Sequence, residues 1–311
     1  MNKVVNLYPD QSLLAEYQEY LAGKSERTTD AYIRVLRQFT SWIAERPRGG
    51  DRFQPELLTK AALEMYLEHL ETSGYSVSHQ LRVKSAVSGF AYWLIGEKGL
   101  LQRNPARGVV IPPQPLMAPR ELSEDQRYVL RSLVEREGTI RGEALFALGY
   151  WAGFRVSDVS WLLMEHANIG PKIGWVTVGY KGGKKREIDL LNQARRPLYD
   201  YINHGGRDPE SPYVFTSQRA DRLSEAGIHH WFRILKARAT KDEWELIKDI
   251  TFHDLRHDFA HRAREAGWAL EEIAYYLGYI TQKGTPAIQT TVRYTQVSRN
   301  QIKEKLKLIR G

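Results

Sequence analysis

Four short stretches carry side chains that could handle a phosphate ester. In Gly153-Phe154-Arg155-Val156-Ser157-Asp158, an arginine stands just past a predicted apolar helix, Ala144 to Ala152, that ends in a glycine, so it can project from a rigid support. In His253-Asp254-Leu255-Arg256-His257, His253 and Arg256 are three positions apart and on a helix share a face, within reach of one phosphate. Lys181-Gly182-Gly183-Lys184-Lys185 places three cations at a predicted hairpin turn, and Thr290-Thr291-Val292-Arg293-Tyr294-Thr295 carries a phenol. Exchanging one phosphodiester bond for another without a metal needs cations for a pentacovalent phosphorane, a nucleophile, and a proton donor for the departing oxygen. Arginine suits the first task, because its planar fork binds two phosphate oxygens and stays protonated at any working pH. A histidine, with an ordinary pKa of about 6.5, can take a proton from a tyrosine near neutral pH. A phenol, with a pKa of about 10, needs neighbouring cations to stabilise its anion as it forms.

Each stretch also has a plainer reading. Arg155 could cap carbonyls or pair with Asp158. His257 and His261 lie one and two turns beyond His253 and would extend an incidental histidine-lined face; a zinc site is disfavoured because no His-Glu-x-x-His spacing appears. Any one of the lysines could simply touch phosphate or solvent. With 17 tyrosines in the chain, most must be core or interface residues, so Tyr294 is set apart only by its surroundings.

These residues need elements to hold them. Apolar Tyr32, Val35, Leu36, Phe39 and Ile43 recur at helical spacing and predict a helix over Ser25 to Ala44; Leu57 to Thr72 and Val77 to Ile95 repeat the pattern. The first hundred or so residues therefore read as all-helical. Asn104-Pro105 and the stretch Ile111-Pro112-Pro113-Gln114-Pro115-Leu116-Met117-Ala118-Pro119 cannot continue a helix or a central strand, because proline lacks the donor and restricts its predecessor. The organisation expected is a helical domain over 1–110, a proline-rich linker over 111–120 and a second domain over 121–311. In the second, helices are predicted from Ser123, over Glu143 to Tyr150, and over Ile228 to Ala239, His253 to Ala266 and Leu270 to Leu277. Ile173 to Tyr180 and Arg186 to Leu190 predict a hairpin, rich in β-favouring Trp175, Val176, Val178 and Ile188.

A chain of 311 residues can bury two ordinary cores. Its 45 Lys plus Arg against 37 Asp plus Glu leave +8, which with a pI near 9.4 fits a polyanion binder, although a basic, well-mixed solvated surface would read the same way. The absence of cysteine excludes disulfides, thiolate zinc sites and cysteine nucleophiles. No stretch approaches the roughly 20 apolar residues of a membrane span, and the N-terminus has no secretion signature, so a soluble, cytoplasmic protein is expected.

In the order and setting of its motifs the chain resembles the tyrosine recombinase, or phage integrase, family, which shares its chemistry with type IB topoisomerases. The resemblance covers nearly the whole chain. It implies a mainly α fold: a helical, SAM-like core-binding domain, then a mixed, mostly helical catalytic domain with a small antiparallel sheet. It makes Arg155 and Arg256 the phosphate clamp, His253 a proton-transfer or transition-state group, and Asp158 a structural support. Lys181, with Lys184 and Lys185 as rivals, becomes the hairpin cation delivered to the departing 5′ oxygen, and Tyr294 the nucleophile that forms a 3′ phosphotyrosine. Covalent capture conserves the bond energy, so no ATP, metal, nicotinamide or other cofactor is expected. The implied partners are double-stranded DNA, a tetramer of this chain on paired sites, and accessory proteins of a kind that the sequence does not specify, with no membrane. So few residues lead into the helical region that a further domain reading distant arm sites is not expected, which favours a chromosome-dimer or cointegrate resolvase over a large phage integrase. A DNA-binding relative that has lost the chemistry and a monomeric nicking and closing enzyme are the alternatives.

The match departs from the family at Leu277-Gly278-Tyr279, where the family has Leu-Gly-His or a tryptophan in the histidine's place, and the 294 − 279 = 15 positions to Tyr294 are longer than usual. Tyr279 can donate a hydrogen bond through its hydroxyl but has no charged form, so a slowed site is expected. Beyond it, Ile302, Leu306 and Ile309 share one helical face, which in related recombinases docks on a neighbouring subunit; docking on its own domain is the alternative. Tyr279→His is expected to raise the cleavage rate on a suicide DNA substrate; an unchanged or lower rate would remove Tyr279 as the cause of slow chemistry.

Overall fold

Hydroxyl side chains set where many of the helices begin. Thr59 and Ser76 accept from Ala62 N and His79 N at 3.1 and 3.3 Å, and Thr139 and Ser224 accept from Gly142 N and Gly227 N at 3.1 and 3.0 Å. Ser123 and Gln126 close a reciprocal capping box. The computed structural model describes residues 10–23, 26–46, 52–112, 120–179, 185–218 and 220–279, and of the remainder 285, 287 and 291. The chain divides into two units, 1–115 and 116–311, and the proline-rich stretch 113–119 lies outside the described residues.

The first unit contains α1 (Asp10–Tyr20), α2 (Glu26–Ala44), α3 (Lys60–Thr72) and α4 (Val77–Gly96). Its core takes Leu36, Phe39 and Ile43 from α2, Leu63 and Leu67 from α3, and Val83, Val87 and Phe90 from α4. Helix α1 was not anticipated. It is anchored by Tyr17, whose ring lies 5.1 Å from that of Phe90 and 5.4 Å from that of Trp93.

The second unit contains α5 (Glu124–Glu137), α6 (Ile140–Tyr150), α7 (Val156–Ser160), β1 (Ala167–Ile169), β2 (Gly174–Val178), β3 (Arg186–Asp189), α8 (Asn192–His204), α9 (Glu225–Lys236), α10 (Lys241–Ile247), α11 (Phe252–Glu265) and α12 (Leu270–Leu277). Helix α6 is buried almost throughout and packs against α5, α8 and α11. The expected hairpin is β2–β3, and β1 extends it to a three-stranded antiparallel sheet in the order β1-β2-β3. Val176 pairs with Ile188 and Val178 with Arg186, and all four side chains are buried. The fold is thus mostly helical with a small antiparallel sheet, and no helix among the described residues is long and apolar enough to cross a membrane.

A buried carboxylate ties α11 to α5 and to the chain leading into it. Asp258, fully buried, accepts from Leu122 N at 3.2 Å, Arg127 Nε at 2.9 Å and Arg262 Nε at 2.8 Å. Arg262 in turn donates to the carbonyl of Tyr150 at the end of α6 and lies 4.1 Å from that residue's ring centroid. Asp258→Ala would remove the buried carboxylate that both guanidinium groups share, so it is expected to lower the unfolding free energy by about 3 kcal/mol. Urea denaturation measures this, and a loss below 1 kcal/mol or so would mean that solvent replaces the carboxylate.

Candidate active site at the C-terminal end of α12

The last four carbonyls of a helix lack partners within it. At the end of α12, Gly278 N donates to Tyr275 O at 3.0 Å and Tyr279 N to Ala274 O at 2.8 Å, the paired reverse bonds of a Schellman cap. The cap requires a left-handed residue, and Gly278 supplies it at φ 68°. Two carbonyls, Tyr276 O and Leu277 O, are left over, and arginines satisfy both.

Leu277 O accepts from Arg155 Nη1 at 3.1 Å and also from Arg256 Nη2. Arg155 is the N-cap of α7, and its backbone N–H donates to Asp158 Oδ2 at 3.3 Å. It reaches this place because Gly153 turns the chain out of α6 with φ 62°. Arg256 comes from the second turn of α11, whose start is fixed by Thr251 N and Oγ1 each donating to Asp254 Oδ2 at 2.7 Å. Although 0% exposed, Arg256 is well supplied with acceptors: Gly153 O at 2.7 Å, Leu277 O, and the Tyr279 hydroxyl at a long 3.4 Å from Nε. The Tyr279 ring lies against both cations, its centroid 4.9 Å from Arg256 Cζ and 5.2 Å from Arg155 Cζ.

Two like charges so close affect one another. Burial, and after it the Arg256 charge, pulls the Arg155 guanidinium down to about 10, which still leaves it protonated near neutral pH. His253, on α11 with Arg256, is lowered first by desolvation and then by the Arg256 charge, which favours its neutral form. Its ring meets that of His257 edge-on at 4.4 Å; burial, and next His253, pushes His257 down to about 4.

The structure therefore brings Arg155, Asp158, Arg256 and Tyr279 together and sets His253 on the same helix as Arg256. Lys181, Lys184 and Tyr294 lie outside the described residues, as do Arg293 and the apolar stripe of Ile302, Leu306 and Ile309; Lys185 is exposed immediately before β3. Among the described residues no group of three or more His, Cys, Asp or Glu side chains is placed to hold a metal ion. One member of the cluster was not singled out from sequence. Arg186, 6% exposed, donates from Nε to Tyr276 O at 2.9 Å and approaches Asp158 Oδ2 at 3.5 Å with Nη2. The available signal was strand alternation, which points Arg186 inward with Ile188.

The model of the phage integrase family matches residues 121–301, and that of the phage integrase N-terminal SAM-like domain matches residues 13–98. The chain belongs to the phage integrase family of tyrosine recombinases. It is similar to tyrosine recombinase XerC of Pelobacter propionicus, 30% identical over 282 residues, 90% of this chain and 88% of the relative. It is also similar to tyrosine recombinase XerD of Vibrio cholerae, 26% identical over 307 residues and 96% of each chain. The same fold occurs in the Tn1549 transposon integrase, solved in complex with transposon right end DNA, at a TM-score of 0.71 and 14% identity over 97% of this chain and 99% of that one.

A Cβ at Gly153 would stand 2.7 Å from the Phe259 ring in a backbone conformation that side chains rarely adopt, at the residue whose carbonyl holds Arg256. Gly153→Ala is expected to cost roughly 1–3 kcal/mol and to weaken DNA cleavage by shifting Arg256. Denaturation together with a cleavage assay checks this, and a variant normal in both would show that the turn is not needed.

Proposed function

We propose that this recombinase cleaves and rejoins double-stranded DNA at specific sites through a 3′ phosphotyrosine on Tyr294, acting in the cytoplasm. The observation that carries the reading is the convergence of Arg155 and Arg256, from separate helices, on the single carbonyl of Leu277. Such a pair forms a fork for one phosphate, and catalysis by charge stabilisation needs donors already in place before the phosphorane forms.

In this scheme the Tyr294 oxygen bonds to phosphorus while the bond from phosphorus to the 5′ oxygen breaks. The phenolic proton passes to His253, and the departing 5′ oxygen takes a proton from Lys181, with Lys184 and Lys185 as rivals. Arg155 and Arg256 neutralise the non-bridging oxygens, Tyr279 donates a hydrogen bond to them, and Asp158 supports Arg155. A 5′ hydroxyl from another strand then attacks the phosphotyrosine and restores the phenol. The number of phosphodiester bonds is unchanged, so no ATP is drawn on, and with the two arginines stabilising the charge the scheme calls on no metal or other cofactor. The DNA bound by the similar transposon integrase and the similarity to Xer tyrosine recombinases support recombination on DNA; in the proposed course, strand exchange between two duplexes passes through a Holliday junction. A tetramer would hold the junction, with residues 1–110 as the core-binding domain, 111–120 as the linker and 121–311 as the catalytic domain.

The test is covalent trapping on a nicked duplex whose cleaved 5′ end diffuses away. The wild-type protein should form a covalent protein–DNA band, and Tyr294→Phe should form none while binding the same DNA. A band persisting in Tyr294→Phe would move the nucleophile elsewhere, and its absence from the wild type would leave a DNA-binding protein without the chemistry. Relaxation of a plasmid carrying a single site, without pairing of sites, would instead favour a monomeric nicking and closing enzyme.

A further inference from the structure

The chemistry just described makes no use of Arg186, yet this residue touches three parts of the site. It opens β3, the strand that follows the lysine-bearing stretch 181–185 in sequence, and its Nε holds Tyr276 O at the end of α12. Its guanidinium lies flat against Gly278, where an added Cβ would stand 2.5 Å from Nη1 and 2.7 Å from Cζ. Its side chain is only 4% exposed, with Nε on Tyr276 O and Nη2 turned to Asp158 Oδ2. Its third contact is Asp158. That carboxylate oxygen lies 3.5 Å from Arg186 Nη2 and 3.9 Å from Arg155 Nη1 while also accepting the Arg155 backbone N–H.

A carboxylate beside a phosphate-binding arginine is a competitor. Left alone with Arg155, Asp158 would form an ion pair with it, and an incoming phosphate would have to break that pair. With Arg186 on its other side, one negative charge is divided between two cations, and the surplus positive charge faces the site. We infer that Arg186 is a positioning residue that holds the charge of Asp158 and thereby leaves Arg155 available to the scissile phosphate. The inference rests on the clamp reading of Arg155 and Arg256, and it assigns a task to a residue that touches no substrate.

The double-mutant comparison uses the full-length protein and the nicked duplex, with the rate of covalent complex formation at saturating DNA as the readout. Arg186→Gln keeps a donor for Tyr276 O but removes the charge, and should slow cleavage by about tenfold. Asp158→Asn in that background keeps an acceptor for the Arg155 N–H but removes the competing charge, and should recover most of the lost rate. A purely structural Arg186 predicts the reverse, a double variant as slow as Arg186→Gln or slower, and that result overturns the inference. So does an Arg186→Gln protein that cleaves normally. Should thermal melting show that Arg186→Gln does not fold, Arg186→Lys decides: a loss of no more than about threefold supports the charge role and a tenfold loss overturns it. A wild-type protein that forms no covalent complex refutes the clamp reading itself, whereas normal trapping with unimpaired Arg186→Gln refutes only this inference.

Discussion

Everything at the site depends on two helix carbonyls that have no backbone partner. A helix C-terminus carries partial negative charge, and unpaired carbonyls concentrate it. In α12 the Schellman cap satisfies Ala274 O and Tyr275 O and leaves Tyr276 O and Leu277 O exposed to side chains. Three arginines take them: Arg186 on the first, Arg155 and Arg256 on the second. The left-handed turn at Gly278 has room for no side chain, since an added Cβ would run into the Arg186 guanidinium. The common arrangement of an anion at a helix N-terminus is here inverted, with a helix C-terminus gathering the cations that can then hold an anion.

Gathering them has a cost that the surroundings only partly meet. Asp158 supplies one negative charge, the helix end supplies a fraction of another, and the Tyr279 ring offers its face to two of the three cations. Burial first, and the neighbouring Arg256 charge after it, draw the Arg155 guanidinium down to about 10. In the proposed function a phosphate supplies the balancing negative charge. In the proposed reaction the cations are assembled in advance, so little reorganisation would remain when charge develops on the phosphorane, where preorganised electrostatics contribute most to rate.

The part of this arrangement legible in sequence was the part set by local geometry. His253 and Arg256 share a face by helical period, Gly153 marks the turn that presents Arg155, and Leu277-Gly278-Tyr279 is visible as a departure from the family pattern. The longer helices were foreseeable from apolar spacing; α12 matches its expected range, and α4 and α11 do so within a residue. Helix α10 and strand β1 are too short for periodicity to register, and α8 hides Ala194, Leu198 and Tyr201 among charged residues and a proline. Arg186 was missed for a different reason. Alternation can say that an arginine points inward, but its partners are at positions 158 and 276, and no local pattern reveals which carbonyl or carboxylate waits there.

The tyrosine at position 279 acquires a physical meaning from the same charge balance. A histidine in its place would, when protonated, add one more cation to a group that already repels itself, so a phosphate would relieve more repulsion on entering. Tyrosine adds no charge, and its ring stabilises Arg155 and Arg256 in the absence of DNA. Stabilising the empty clamp without equally stabilising the phosphorane lowers the free protein more than the transition state, and only the difference between the two reaches the rate. The substitution thus favours a clamp that stays assembled without its substrate over one that gains most when the substrate arrives.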